Sequence, residues 1–531
     1  MRKIFDSTKA YGLLEKIFRQ FKKPHAIILS LILLYGAFIH LWGINHLFKW
    51  IADYDEGAYS LGGLFISRGY VPYRDFVLVH PPLYDLSLGL IYKIFGYNFF
   101  YGRFFSIILS LVSMILIYMI LKRLFNSSSG LVGAALFSVF PGLYYSWYRV
   151  VQEPLGIFFI LMAVFMATEF IVFRKTSYRL LITGLFLGLS IATKYTFIAP
   201  AIGITLALIL LSVEPFFSRP ISWKNILLKL EPWLLTAGII TGYLLISGYF
   251  LITSPHEYIN QTIIAQAGYR LNGTLHTVLE KFQRFTYATT EDKIITVCIV
   301  SIIFILIIML IRKDFSRCNK FLFITLIISA LVSSSFNRFG ETRYFVPTFT
   351  IFILGTASLI PELNSTNIKY RINWHVIKLY SNLFLVNILL LASMIGFLIQ
   401  RHDYYFMGPV KLTYEETVYQ QTIAFLKNNS GKKVYALNPV IPALVPELES
   451  SLYFDTFGLL EVIKLSGKEV IQKQIASNVD YIIVDINPRL MAFQKLNYQD
   501  LIREILINFP MIKTFTPGIL HIFDVDIFLV Q

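Results

Sequence analysis

Cysteine and charge are both scarce in this chain. Two cysteines, Cys298 and Cys318, stand in 531 residues. One lies in an apolar run and the other in a basic loop, so a disulfide framework is not indicated. Charged residues make up only 15% of the chain, against 56% hydrophobic residues. A soluble protein of this length cannot cover that much apolar surface. Nucleotide-binding loops are missing too. No GxxxxGK[ST] occurs, and no glycine fingerprint sits between a strand and a helix. ATP-driven transport and direct use of nucleotide sugars are therefore disfavoured. There is no internal repeat and no low-complexity linker. The formal charge of +15 comes without a basic–aromatic module, which argues against nucleic-acid binding.

What the chain does have is long apolar runs, near the length that crosses a hydrocarbon core of about 30 Å as a helix. Eleven spans are expected, at roughly 26–46, 101–121, 128–145, 154–173, 180–194, 196–213, 232–253, 294–311, 321–335, 345–360 and 379–400. The chain thus reads as an α-helical polytopic membrane protein. The basic start precedes a full-length span, so that first span is expected to serve as an uncleaved anchor. Lysines and arginines of the N-terminus, Lys122–Arg123, Arg174–Lys175–Arg179 and the "IRKDFSRCNK" loop fall on one side. The positive-inside rule makes that side cytoplasmic. The outer loop 47–100, the "YYSWYRVVQEP" turn, Lys194 and "SSSFNRFGETRYF" then face the other way.

Two stretches of the outer loop, "EGAYSLGGLFISRG" and "PPLYDLSLGLIYKIFG", have helical apolar spacing interrupted by Gly69, Pro72, Pro81 and Pro82. They read as two interfacial helices joined by a turn. From about 401 the composition shifts. "KKVYALN", "DYIIVDI" and "IFLV" read as buried strands, flanked by amphipathic helices. The expected division is residues 1–400 in the membrane and 401–531 as a small extracytoplasmic α/β domain.

Ionisable residues collect on the outer face. Asp53, Asp55, Glu56 and His80 come from the first outer loop, Arg103 from the mouth of the second span, and Arg149, Gln152 and Glu153 from the second turn. Lys194 follows, then Arg338, Glu341 and Arg343. A charge at membrane depth costs about 2.5–3.5 kcal/mol on insertion scales, so such groups face a polar cavity or one another. Adjacent carboxylates gain affinity for protons and suit a general base. Guanidinium and ammonium groups suit an anionic phosphate. "DYD" at 53–55 also fits a divalent-ion pattern, with Asp53 and Asp55 as ligands to Mg or Mn, though "DVD" at 524–526 fits it equally.

The stretch "DEGAYSLGGLFISRGYVPYRDFVLVHPPLYD", followed by "YGRFFS", resembles the first outer loop of GT-C glycosyltransferases. Nearest in pattern are protein O-mannosyltransferases, bacterial aminoarabinose transferases and their family-39-type relatives. The Asp-Glu pair matches as Asp55 and Glu56, the His-Pro-Pro-Leu element as His80 to Leu83, and the arginine opening the second span as Arg103. Glu153 stands where many members have Asp. "TKYTFIAP" and "ETRYFVPTF" also resemble family segments. The resemblance implies a sugar donor on a polyprenyl phosphate, such as dolichyl or undecaprenyl phosphate, and transfer on the non-cytoplasmic face with inversion. It implies Asp55 as general base and Glu56 as the group that orients acceptor or base. Arg103, Lys194, Arg338 and Arg343 become donor-phosphate ligands, with His80 and Glu153 shaping the site. Where O-mannosyltransferases continue with Gly-Lys, this chain has Tyr84 and Asp85, and no MIR-type domain is apparent. A lipid or glycan acceptor in a prokaryotic plasma membrane is thereby favoured over a protein. The rivals are a lipid-linked oligosaccharide ligase or polymerase, which needs a pyrophosphate-linked donor, and a lipid or solute transporter, which would show paired repeats.

Overall fold

The computed structural model describes residues 24–44, 54–140, 143, 146–175, 178–213, 229–265, 316–336 and 342–360. Of the C-terminal part it describes 423–424, 426–428, 433–436, 439–445, 447, 449–450, 481–485, 511–515 and 527–530. The expected spans at 294–311 and 379–400 lie outside the described residues.

The chain is mostly helical. Helix α1 (Pro24–Ile44) leads to the outer segment, where α2 (Tyr54–Ser67) and α3 (Leu83–Phe95) form a pair. Then come α4 (Phe99–Leu124), α5 (Ser127–Val139), α6 (Glu153–Phe173), α7 (Arg179–Thr193), α8 (Ile198–Val213) and α9 (Leu230–Thr253). Short α10 (Pro255–Ile259) runs into a π-helical turn, Asn260–Ile264. Helices α11 (Arg317–Phe336) and α12 (Val346–Ala357) follow. Among the described residues, six helices are long and apolar enough to cross a membrane, and α5, α7 and α12 are shorter apolar helices. The protein is an integral membrane protein. The two helices expected from spacing in this outer segment are present, and their ends have a physical cause. Gly69 (φ 94°) and Gly96 (φ 80°) adopt the positive φ that glycine tolerates after each helix.

Apolar burial alone does not join helices in lipid, so close approach and polar ties matter. Helices α7 and α9 meet through glycines. A Cβ on Gly184 would lie 2.2 Å from the Leu235 carbonyl oxygen, and one on Gly188 2.2 Å from that of Ile239. Gly238 and Gly242 are equally tight against the Leu181 and Leu185 carbonyls. The two small-xxx-small stripes therefore interlock backbone to backbone. At the end of the bundle opposite α2, Arg317 donates to the carbonyls of Ile171 (3.1 Å) and Leu211 (3.0 Å). It so caps the C-terminal ends of α6 and α8, where a cation also suits the helix dipoles. Glu169 accepts from Arg123 and pairs with Arg179 nearby.

In the C-terminal part, β1 (Lys433–Ala436), β2 (Glu449–Ser450), β3 (Tyr481–Asp485), β4 (Met511–Phe515) and β5 (Ile527–Val530) make one sheet in the order β2-β1-β3-β5-β4. Strands β2, β1 and β3 run parallel, and β5 and β4 join antiparallel. A short helix, α13 (Val440–Ala443), packs on α2.

Candidate active site

The site is built around the first turn of α2, which carries Asp55 and Glu56. Glu56 is buried, and both of its carboxylate oxygens are engaged. Arg103 on α4 donates through Nε to Oε1 at 3.0 Å and through Nη2 to Oε2 at 2.6 Å. The Val150 N–H donates to Oε1 at 2.9 Å. The guanidinium lies against the rings of Phe99 (5.4 Å) and Tyr148 (5.9 Å). The Ser106 hydroxyl donates to the Arg149 carbonyl at 2.6 Å. The first outer loop, the mouth of α4 and the second outer turn are thus one unit, tied by a two-pronged charged hydrogen bond of the strong kind. The guanidinium also offsets the Glu56 charge, so the carboxylate–carboxylate repulsion expected between Asp55 and Glu56 is largely neutralised. Asp55 itself is half-buried.

A second pair stands at the N-terminus of α6. Lys194, in the turn between α7 and α8, donates to Glu153 Oε1 at 2.7 Å, and both residues are buried. Among the described residues, Glu153 Oε2 and both amide atoms of the buried Gln152 have no hydrogen-bond partner. Buried polar atoms of that kind are rare and call for a water or ligand.

His80 lies beside α2. Its ring is 5.9 Å from that of Tyr59, which meets Tyr84 edge-on at 5.5 Å. Tyr59 is four residues beyond Asp55, so the two share a helix face. Asp85 is wholly buried, and a Cβ on Gly62 would sit 2.5 Å from its Oδ1. Burial pushes the hydroxyls of Tyr73, Tyr84 and Tyr97 well above the usual phenol range. They stay protonated, and hence donors, across physiological pH. In the exposed turn before His80, hydrogen bonds from Arg74 hold the Asp75 carboxyl below its usual range.

Of the residues singled out from sequence, the structure joins Glu56 to Arg103 and Glu153 to Lys194. Arg343 belongs to the 3₁₀ turn Thr342–Phe345. Asp53, Arg338 and Glu341 lie outside the described residues. Among the described residues no three His, Cys, Asp or Glu side chains gather as a metal site would require.

Sequence reasoning missed two contacts. The C-terminal part reaches α2 at Gly57, where a Cβ would lie 2.2 Å from the Val440 nitrogen. Tyr97 seals the contact by donating to the Ala443 carbonyl at 2.6 Å. The glycine directly after Asp-Glu was a legible cue, because only a backbone without Cβ admits such approach. The other is Gln261, buried against the first outer loop, for which the sequence carried no signal.

Residues 79–231 match the family model of dolichyl-phosphate-mannose-protein mannosyltransferase. No curated protein matches the chain. Among solved structures, ArnT from Cupriavidus metallidurans bound to undecaprenyl phosphate is similar with a TM-score of 0.55 at 13% identity, over 95% of this chain and 97% of that one. The Archaeoglobus fulgidus oligosaccharyltransferase tethered to an acceptor peptide gives a TM-score of 0.53 at 14% identity, over 95% and 74%. The Archaeoglobus fulgidus oligosaccharyltransferase AglB, in complex with an inhibitory peptide and a dolichol-phosphate, gives 0.51 at 14%, over 95% and 74%. This chain thus shares its fold with these solved glycosyl-transfer proteins, and the segment that matches the mannosyltransferase family model contains His80, Arg103, Glu153 and Lys194.

Proposed function

We propose that the protein transfers a sugar from a polyprenyl monophosphate to a lipid or glycan acceptor on the non-cytoplasmic face of a prokaryotic plasma membrane. The observation that carries this is the Glu56 junction. Arg103 and the Val150 amide together hold the first turn of α2, and with it Asp55, at the end of the bundle where Lys194 and Glu153 also lie. ArnT, of the same fold, has been captured with undecaprenyl phosphate.

Asp55 takes the proton of an acceptor hydroxyl as that oxygen bonds to the anomeric carbon. The bond from that carbon to the phosphate oxygen breaks from the opposite face, and the polyprenyl phosphate leaves with the electron pair. The anomeric centre inverts. Glu56 does not touch substrate in this scheme; it positions Asp55 through Arg103. Lys194, Arg338 and Arg343 receive the phosphate, with the Lys194 ammonium shared between Glu153 and the donor. Developing negative charge on the leaving oxygen is where fixed cations contribute most. His80 borders the acceptor side.

The oligosaccharyltransferase likeness keeps one rival in view, an oligosaccharide ligase that takes a pyrophosphate-linked donor. Purified protein supplied with matched monophosphate- and pyrophosphate-linked sugars decides between them. Turnover with the monophosphate donor is expected, and turnover confined to the pyrophosphate donor would favour the ligase. The proposed orientation puts the N-terminus and the α11 start in the cytoplasm and residues 401–531, as a domain, outside. Cys318, whose thiol is partly exposed at that start, should react with an impermeant thiol reagent in inverted vesicles and not in right-side-out ones. The reverse labelling would overturn the orientation.

A further inference from the structure

The segment after α9 takes no part in the chemistry above, yet its side chains reach both halves of the site. Helix α10 and the π-helical turn Asn260–Ile264 form a short strap beside the outer end of α9. Gln261 on this strap is buried, and both ends of its amide are used. Oε1 accepts the Leu78 N–H at 3.0 Å, and Nε2 donates to the Tyr73 carbonyl at 3.3 Å. One side chain so supplies the donor and acceptor that a neighbouring strand would offer.

Tyr73 is itself unusual. Its φ of 68° puts a bulky residue in the left-handed region. Such backbone persists only where surrounding contacts over-determine it, and such strain clusters at functional segments. Here the contacts are on every side. The Tyr73 N–H donates to the Phe76 carbonyl at 2.9 Å. Its hydroxyl donates to the His80 carbonyl at 2.7 Å. Its ring meets Phe250 at 5.1 Å and Tyr258 at 4.8 Å, both edge-on. Tyr258 belongs to the strap and begins a hydroxyl chain in the other direction. It donates to Ser247 at 2.9 Å and bonds Tyr243 at 2.8 Å, and Tyr243 bonds Tyr195 at 3.0 Å. Tyr195 donates back to Thr262 on the strap at 3.3 Å. Tyr195 directly follows Lys194.

We propose that the strap Pro255–Ile264 is a positioning element for sugar transfer. Gln261 and Tyr73 set the path of residues 73–80 and so the place of His80, while the hydroxyl chain ties the same strap to the Lys194 turn. Gln261 and Tyr73 are positioning residues; neither touches the reacting atoms. The kinetic part of this proposal rests on the transferase reading, and the structural part does not.

The test uses the full chain in lipid nanodiscs. Gln261→Met keeps the volume and removes both hydrogen bonds. Amide exchange at Leu78 should quicken about tenfold, the equivalent of one lost hydrogen bond, and kcat for the monophosphate-linked donor should fall about tenfold to a hundredfold, as displaced site groups do. The donor KM should move less than kcat. Tyr73→Phe keeps the ring and frees only the His80 carbonyl, so it should lower kcat while leaving Leu78 protected. Unchanged Leu78 exchange in Gln261→Met, or faster exchange with kcat within about twofold of wild type, overturns the proposal. Should the wild type transfer no sugar at all, the transferase reading fails, and the exchange result alone decides whether the strap holds residues 73–80.

Discussion

The Glu56–Arg103 pair does the most at the scale of single residues. Both side chains are almost entirely buried, at 4% and 2% exposure, so removing one partner strands a charge. Loss of one member of such a pair costs about 3–5 kcal/mol. Arg103→Lys keeps the charge and loses the two-pronged geometry. It should lower activity by more than tenfold, about 1.4 kcal/mol, and Glu56→Gln should act in the same direction with a larger loss of thermal stability. Scanning both variants by activity and by detergent melting checks this, and wild-type behaviour in Arg103→Lys would show that a point charge suffices. Sequence alone marked Glu56 and Arg103 as important because both are charges at membrane depth. It did not pair them. Pairing depends on how α2 returns over α4, and nothing in the spacing from residue 56 to residue 103 encodes that return. The same holds for Lys194, expected as a phosphate ligand, and Glu153, expected to shape the site, which the structure joins.

Elements were more legible than pairs. Helix periodicity located α2 and α3 with the correct break at Gly69, and the apolar runs located the six helices among the described residues that are long enough to cross a membrane. The shorter helices are where expectation and structure part. Residues 128–145 were expected to form one span, but α5 ends at Val139 and the chain then approaches Pro141, which restricts the residue before it away from helix. The stripes that lock α7 to α9 were visible as "GLFLG" and "GIITG" and were not used. In lipid a glycine of this kind is a contact and not a flaw. Gly184→Ala would push a methyl into the Leu235 carbonyl, which cannot rotate aside. A loss of about 1–3 kcal/mol is expected, read as a lowered melting temperature. A control at Gly248, whose added Cβ would meet only the Leu244 side chain at 3.7 Å, should leave the melting temperature nearly unchanged. Equal losses at the two positions would refute the backbone-contact explanation.

For the molecule as a whole, the division of labour follows from where charge sits. One end of the bundle carries Arg123, Arg179 and Arg317, which cap helix ends and bind Glu169. The other carries carboxylate–cation pairs around α2 and receives the C-terminal helix α13 at Gly57. Composition alone made the chain a membrane protein, and the outer-loop motif alone made it GT-C-like. How the tail docks was not legible, because a contact between Gly57 and Val440 leaves no periodic trace. The proposed glycosyl transfer turns on Asp55 as the proton acceptor. Its most direct measurement is the single-turnover rate of purified wild type and Asp55→Asn with one polyprenyl-monophosphate-linked sugar, each first shown to insert and to bind donor alike. A loss of about a hundredfold or more is expected, the range set by removal of a general base, with donor affinity retained. An Asp55→Asn variant that turns over at the wild-type rate would contradict it.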